Sequence, residues 1–184
     1  MPSLFDSIMP IHEKFIANFA PKASVDLFQI GDLAPDFELP DSEGKLRRLS
    51  EFRGKPLLLV FTRIFTDKIF CPICYPHLLA LREDYPKFQA LGAEVVMVNT
   101  TRVEMTKIIV QEQGFTFPVL SDAEWKVFQQ YGIGAALGAP MPAEFLLDKH
   151  GAIRFKFISG LELPSPFFRL PDNNDMLAMI SQLR

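Results

Sequence analysis

Cysteine is scarce in this chain. Two occur in 184 residues, which excludes a small domain held by a disulfide framework. Tryptophan occurs once and tyrosine three times, against 18 phenylalanines, a balance that favours a dry aromatic core over a surface for stacking bases or sugars. Excess positive charge is also missing. The net charge is −3, and the longest basic cluster is Lys45, Arg47 and Arg48, which suits a solvated strand end and leaves no nucleic-acid footprint. No apolar run approaches the ~18 residues that span a bilayer. Asp6, His12, Glu13 and Lys14 interrupt the N-terminal apolar residues, and no basic segment of a signal peptide precedes them. The expected setting is cytoplasmic, with neither membrane nor nucleic acid as partner. No Gly-rich phosphate loop, paired-carboxylate constellation or Ser-His-Asp arrangement stands out, so no flavin, haem or nicotinamide cofactor is implied.

What is present reads as an α/β domain. Hydrophobic residues make up 48% and charged residues 22%, enough for one domain with a full core and no staples. In the N-terminal extension, residues 1–30, Leu4, Phe5, Ile8, Met9, Phe15, Ile16 and Phe19 fall near helical spacing, with Pro10 dividing them. Either the domain itself or a second subunit, in a homodimer, covers that face. The main domain is expected over residues 31–184. Phe37–Leu39 and Lys45–Leu49 flank a turn and predict short strands, and Leu57–Phe61 is an unbroken apolar run suited to a strand covered on both faces. Leu78, Leu81, Tyr85 and Phe88 mark one helix face, and Ala93–Asn99 a second buried strand. Thr101–Glu104 and Ser121–Glu124 have the form of capping boxes that open helices to about Gln113 and Tyr131. Ala143–Asp148 and Ala152–Ile158 predict a hairpin, and Asn174–Leu183 a closing helix. A right-handed parallel crossover with an added antiparallel edge follows, so the sheet is mixed and has helices on both faces.

The two cysteines lie three apart, as Cys71-Pro72-Ile73-Cys74, where a loop after the buried strand enters a helix. Unpaired amides and the helix dipole favour an anion there, and a thiolate is one. Cys71 near the cap is expected to be exposed and to attack. Cys74, one turn inside, resolves the product as a 71–74 disulfide. Pro72 suits the first helical position, while Pro76 falls early enough to distort the first turn. A zinc site is the competing reading, with His77 as third ligand and carboxylates completing the shell. His77 itself reads as a packed or half-exposed helix residue, Arg63 as a surface charge at the strand end, and Trp125 as a core anchor. Phe61, Phe65 and Phe70 either wall the dithiol or simply pack the core.

Gly31-Asp-Leu-Ala-Pro-Asp-Phe-Glu-Leu39, Leu49-Ser-Glu-Phe-Arg-Gly-Lys55, Phe117-Pro-Val-Leu-Ser-Asp122, Tyr131-Gly-Ile133 and Phe145-Leu-Leu-Asp-Lys-His-Gly151 occur in that order. Together they resemble the alkyl hydroperoxide reductase / thiol-specific antioxidant family, the peroxiredoxins and their relatives, over about residues 31–158. The resemblance implies a thioredoxin-like fold with that family's N-terminal extension and a cysteine heading the helix after the central strand. Two positions depart from the family pattern. Lys68 stands where the family has a Thr three residues before the peroxide-reacting Cys, and Pro142 where it has an Arg. Thioredoxins and glutaredoxins resemble the local site more closely, which implies a cis bond between Met141 and Pro142 facing the dithiol, and Met141 backbone groups that hold a substrate chain as an added strand.

The expectation is a thiol-dependent oxidoreductase with Cys71 and Cys74 catalytic and Pro142, Met141, Pro72 and Phe70 shaping the site. Its substrate is a peroxide or a protein disulfide, and its electrons come from an external thiol donor of thioredoxin, glutaredoxin or glutathione type. The alternatives are a dithiol–disulfide oxidoreductase without peroxidase activity, and a redox-sensing or zinc-binding module.

Overall fold

The computed structural model describes residues 21–64, 71–72, 74–136, 138–160 and 170–183. The N-terminal amphipathic pattern, Phe65, Lys68 and Phe70 lie outside them. In chain order the elements are β1 (Glu38–Pro40), β2 (Leu46–Arg48), β3 (Leu57–Phe61), α1 (Cys74–Ala90), β4 (Glu94–Asn99), α2 (Val103–Gln113), β5 (Val119–Ser121), α3 (Lys126–Gln130), β6 (Ala135–Ala136), β7 (Ala139–Pro140), β8 (Ala143–Leu147), β9 (Ile153–Ile158) and α4 (Asn173–Gln182).

The apolar run that predicted β3 becomes a central strand of a five-stranded sheet ordered β5-β4-β3-β8-β9. All five β3 residues are buried. β3 runs parallel to β4 and antiparallel to β8, with Leu57 opposite Glu94 and Leu147 at one end and Phe61 opposite Val98 and Ala143 at the other. β8 and β9 form the expected hairpin. Strand alternation then divides the core. Leu57, Leu59, Phe61, Phe145 and Leu147 point to one face with Phe128 and Tyr131. Leu58, Val60 and Leu146 point to the other, under Leu78, Leu81 and Phe88 of α1 and Met176 and Ile180 of α4. Each such buried side chain contributes about 1.5–3 kcal/mol of transfer free energy. Phe61 packs at 5.0 Å from Phe128 and 5.0 Å from Tyr131, so it is a core residue on the face away from α1 and does not wall the dithiol.

Both predicted capping boxes are replaced by other bonds. α2 starts two residues after Thr101, but the Thr101 hydroxyl bonds the Asn99 side-chain oxygen at 3.0 Å and meets Thr106 Oγ1 at 2.9 Å. A buried polar cluster claims it, and no side chain caps α2. Ser121 donates to the Thr101 carbonyl. The α3 amides of Lys126, Val127 and Phe128 instead donate to the Asp122 carboxylate at 2.8–3.1 Å, and Trp125 takes a left-handed φ of 60° to enter the helix. Trp125 is only partly buried against the core. β5 is a three-residue strand that the sequence reading did not place.

The segment ahead of β1 is strapped to the domain. Lys22 and Ala135 exchange backbone bonds at 2.7 and 2.9 Å, and Val25 N–H donates to Gly132 O at 2.8 Å. A Cβ on Gly134 would collide with the backbone of Lys22 and Ser24, so this glycine permits the strap, while Gly132 at a φ of 70° follows the end of α3. Gly31 N–H further donates to Ile153 O on the edge strand at 2.8 Å.

Candidate active site

The dithiol sits where the sequence places it, beyond the C-terminal end of β3 and at the start of α1. Tyr75 N–H donates to Cys71 O at 2.9 Å, which makes Cys71 the capping residue and Pro72 the first helical position. Pro76 and Pro86 both lie within α1, and both rings are exposed. Solvent can therefore take the carbonyls that these rings leave unpaired, which is how one helix carries two prolines.

Both cysteines are free thiols. Cys74 is 1% exposed and Cys71 7%. The expectation of an exposed Cys71 is thus corrected: both cysteines are buried, Cys71 less completely. Burial pushes the Cys74 thiol up to about 12 from 9.0, and the adjoining Cys71 thiol adds to the effect. The Arg63 backbone and guanidinium pull the other way. At neutral pH Cys74 is therefore a protonated thiol.

Arg63 was read as a surface charge and is corrected here. It is 7% exposed. Its guanidinium donates to the Ala136 carbonyl and approaches Met141 Sδ at 3.7 Å, and its carbonyl faces Cys71 N–H at 3.5 Å. Arg63 thus ties the dithiol loop to the β6–β7 turn. The signal in the sequence was its place directly after a strand buried on both faces.

Met141 and Pro142 are near the dithiol through Arg63, but not in the expected conformation. Among the described residues no peptide bond is cis, so Met141–Pro142 is trans. Met141 N–H donates to Gly134 O at 2.7 Å and Pro142 O accepts from Ser159 N–H at 3.1 Å. The fold's own turn thus uses the Met141 N–H, and the hairpin the Pro142 carbonyl.

The structure adds one residue that the sequence reading passed over. Glu144 lies in β8 between Val60 and Phe157 and is 1% exposed. His77 Nε2 approaches Glu144 Oε1 at 2.5 Å. Among the described residues neither Glu144 oxygen has a hydrogen-bond partner to add to this contact. A charge inside an otherwise apolar, fully buried pentapeptide, Ala-Glu-Phe-Leu-Leu, was the signal. The imidazole proposed as a zinc ligand is thus turned to Glu144, and no three His, Cys, Asp or Glu side chains converge as a metal site among the described residues. No described helix is long and apolar enough to cross a membrane.

A parallel core with an antiparallel hairpin edge, and a CxxC pair capping the helix after its central strand, define a thioredoxin-fold thiol oxidoreductase. Residues 30–156 match the AhpC/TSA family, and the chain belongs to it. It is 34% identical over 132 residues to the thiol-disulfide oxidoreductase ResA of Geobacillus thermodenitrificans (strain NG80-2), covering 71% of this chain and 70% of the relative. It is 33% identical over 129 residues to the chloroplastic peroxiredoxin Q of Sedum lineare, covering 69% and 67%. The crystal structure of peroxidoxin BcpB from Mycobacterium tuberculosis superposes with a TM-score of 0.70 at 26% identity, over 85% of this chain and 99% of that one. The chain is accordingly a thiol-dependent oxidoreductase with relatives of both chemistries.

Proposed function

We propose that the chain cycles between the Cys71/Cys74 dithiol and a 71–74 disulfide, with Cys71 as attacking sulfur and Cys74 as resolving sulfur. The observation that carries this is the asymmetry of the pair. Cys71 caps α1 and is the less buried sulfur, while Cys74 is enclosed and held protonated. Cys71 attacks a disulfide R–S–S–R′, releases one thiol and keeps the other half as a mixed disulfide. Cys74 then attacks the Cys71 sulfur and releases the second thiol. Two electrons leave the protein in each cycle, and an external thiol donor of thioredoxin, glutaredoxin or glutathione type returns them.

The CxxC spacing at a helix cap and the ResA relatives favour a disulfide as substrate. A specific feature supports peroxide as a second substrate: the buried Arg63 guanidinium beside the dithiol can polarise an O–O bond, which cleaves to leave a sulfenic acid on Cys71. Thiol loss during exposure to hydrogen peroxide, followed by alkylation and intact mass, separates the two. Oxidation far faster than that of free cysteine, ending two hydrogens lighter, establishes the peroxidase. A rate like free cysteine, with fast reaction toward protein disulfides, establishes disulfide exchange. Retained turnover in Cys71→Ser sinks both.

A further inference from the structure

Arg63 adjoins the dithiol and also meets a third sulfur. Its side chain is buried. The guanidinium donates to the Ala136 carbonyl, and its Nη1 lies 3.7 Å from Met141 Sδ. Met141 joins β7 to β8 and is held from both sides. Its N–H donates to Gly134 O at 2.7 Å, and the next carbonyl, Pro142 O, accepts from Ser159 N–H at 3.1 Å. The side chain packs against the core face that holds Phe61 and Tyr131 and stays half-buried. The other described methionines are placed differently. Met97 and Met176 are enclosed, at 0% and 1% exposure. Met105 and Met179 are half-buried like Met141, but they pack against the opposite, apolar core face. A thioether accepts a cationic N–H weakly, whereas the oxygen of a sulfoxide accepts it strongly. An oxygen added to Met141 Sδ on the guanidinium side falls within hydrogen-bond reach of Arg63.

We propose that Met141 is an oxidation site: its sulfur takes an oxygen atom from a hydroperoxide, and the Arg63 guanidinium holds the resulting sulfoxide oxygen. The Met141 sulfur attacks the OH oxygen of R–O–O–H. An S–O bond forms, the O–O bond breaks, and its electron pair leaves on the other oxygen. The proton moves from the transferred oxygen to R–O⁻, which departs as R–OH. The thioether is oxidised by two electrons and the hydroperoxide reduced by two, with no further reactant. Negative charge develops on oxygen as the O–O bond stretches, and a buried guanidinium beside it stabilises that charge. Methionine oxidation elsewhere puts a polar group into an apolar setting and disrupts it. At Met141 the new oxygen meets a donor already in place, so the sulfoxide costs the fold little. The oxidation is also stored differently from that of the dithiol. It sits as one oxygen atom on one side chain, makes no sulfur–sulfur bond, and needs neither Cys71 nor Cys74.

Peptide mass mapping of the full reduced chain after timed exposure to hydrogen peroxide tests this. Met141 is expected to gain its oxygen about tenfold faster than Met105 and Met179, the gain that one charge-assisted hydrogen bond supplies. Arg63→Gln should bring Met141 down to the rate of those two. A Met141 rate no higher than theirs in wild-type protein overturns the proposal, whatever Arg63→Gln does to folding. Loss of Met141 oxidation in Cys71→Ser/Cys74→Ser overturns it as well, because the oxygen would then arrive by way of the dithiol. Thermal unfolding supplies a readout without peroxide. Met141→Gln puts an amide oxygen close to the place of the sulfoxide oxygen, while Met141→Leu keeps an apolar side chain with no acceptor. Met141→Gln is expected to unfold at or above the temperature of Met141→Leu. If it unfolds well below, the guanidinium has no use for an oxygen there and the proposal fails.

Discussion

The two ends of α1 each rest on a glutamate in a neighbouring strand, and the two are treated oppositely. Glu94, at the start of β4 under the C-terminal half, is fully answered: Lys55 Nζ donates to it at 2.8 Å, Tyr85 O–H at 2.6 Å and its following amide, Val95 N–H, at 3.1 Å. Burial alone would raise its carboxyl pKa, but these donors outweigh burial and hold it below the usual range. Glu144, under the N-terminal turn, has the imidazole contact and, among the described residues, no further partner. One carboxylate serves the fold. The other is carried at a cost to the fold, at the end where the chemistry is. Strain of this kind collects at functional sites because the surrounding core over-determines it.

The largest effect that sharpens this contrast is on turnover. Cys71→Ser should abolish it, and Cys74→Ser should preserve the first attack while trapping a mixed disulfide that is visible by intact mass. Next comes stability, where the two glutamates should part. Glu94→Ala leaves Tyr85 and Lys55 without their acceptor and should cost about 1–3 kcal/mol in chemical denaturation. Glu144→Gln keeps the shape of the side chain beside His77 and leaves no donor without its acceptor, so it should change stability by less than Glu94→Ala does. Equal losses would break the comparison.

The pH dependence differs at the two ends as well. Glu94 is lowered in the folded state, so its contribution is present above the ordinary glutamate pKa of about 4.3 and is lost as pH falls through the folded value. Acid denaturation of Glu94→Gln should therefore converge with wild type at low pH. Cys74 is raised from 9.0 to about 12. Between those values the unfolded chain sheds a proton that the folded one keeps, so the reduced protein should lose stability as pH rises through that window. Cys74→Ala should flatten that slope. The smallest effect is Lys55→Met. Its side chain is 43% exposed, and the loss should be about 0–1 kcal/mol.

The sheet was legible because its central strands are long apolar runs, and the dithiol because two cysteines three apart before an amphipathic helix have few other uses. The roles of hydroxyls were not legible. Thr101 and Ser121 have capping spacing, yet Asn99, Thr106 and a backbone carbonyl take their hydrogen bonds, because tertiary neighbours compete with local ones. Arg63 and Glu144 share a different blindness. Each is a charge adjoining or inside a buried strand, and periodicity treats such a residue as an interruption when it is an internal group. The trans Met141–Pro142 bond shows where a local likeness to thioredoxins gave way to this chain's own β6–β7 turn.

The spacing of the cysteines also governs how reversible their bond is. A bridge between residues 71 and 74 closes a ring of only four residues, and in the chain-entropy account so small a loop adds only about 2 kcal/mol to the folded state. Oxidation therefore neither locks the domain nor is much resisted by it. In the proposed cycle the bond can therefore be made and broken as a chemical event that the surrounding architecture barely registers, with a return to the starting state that needs no refolding.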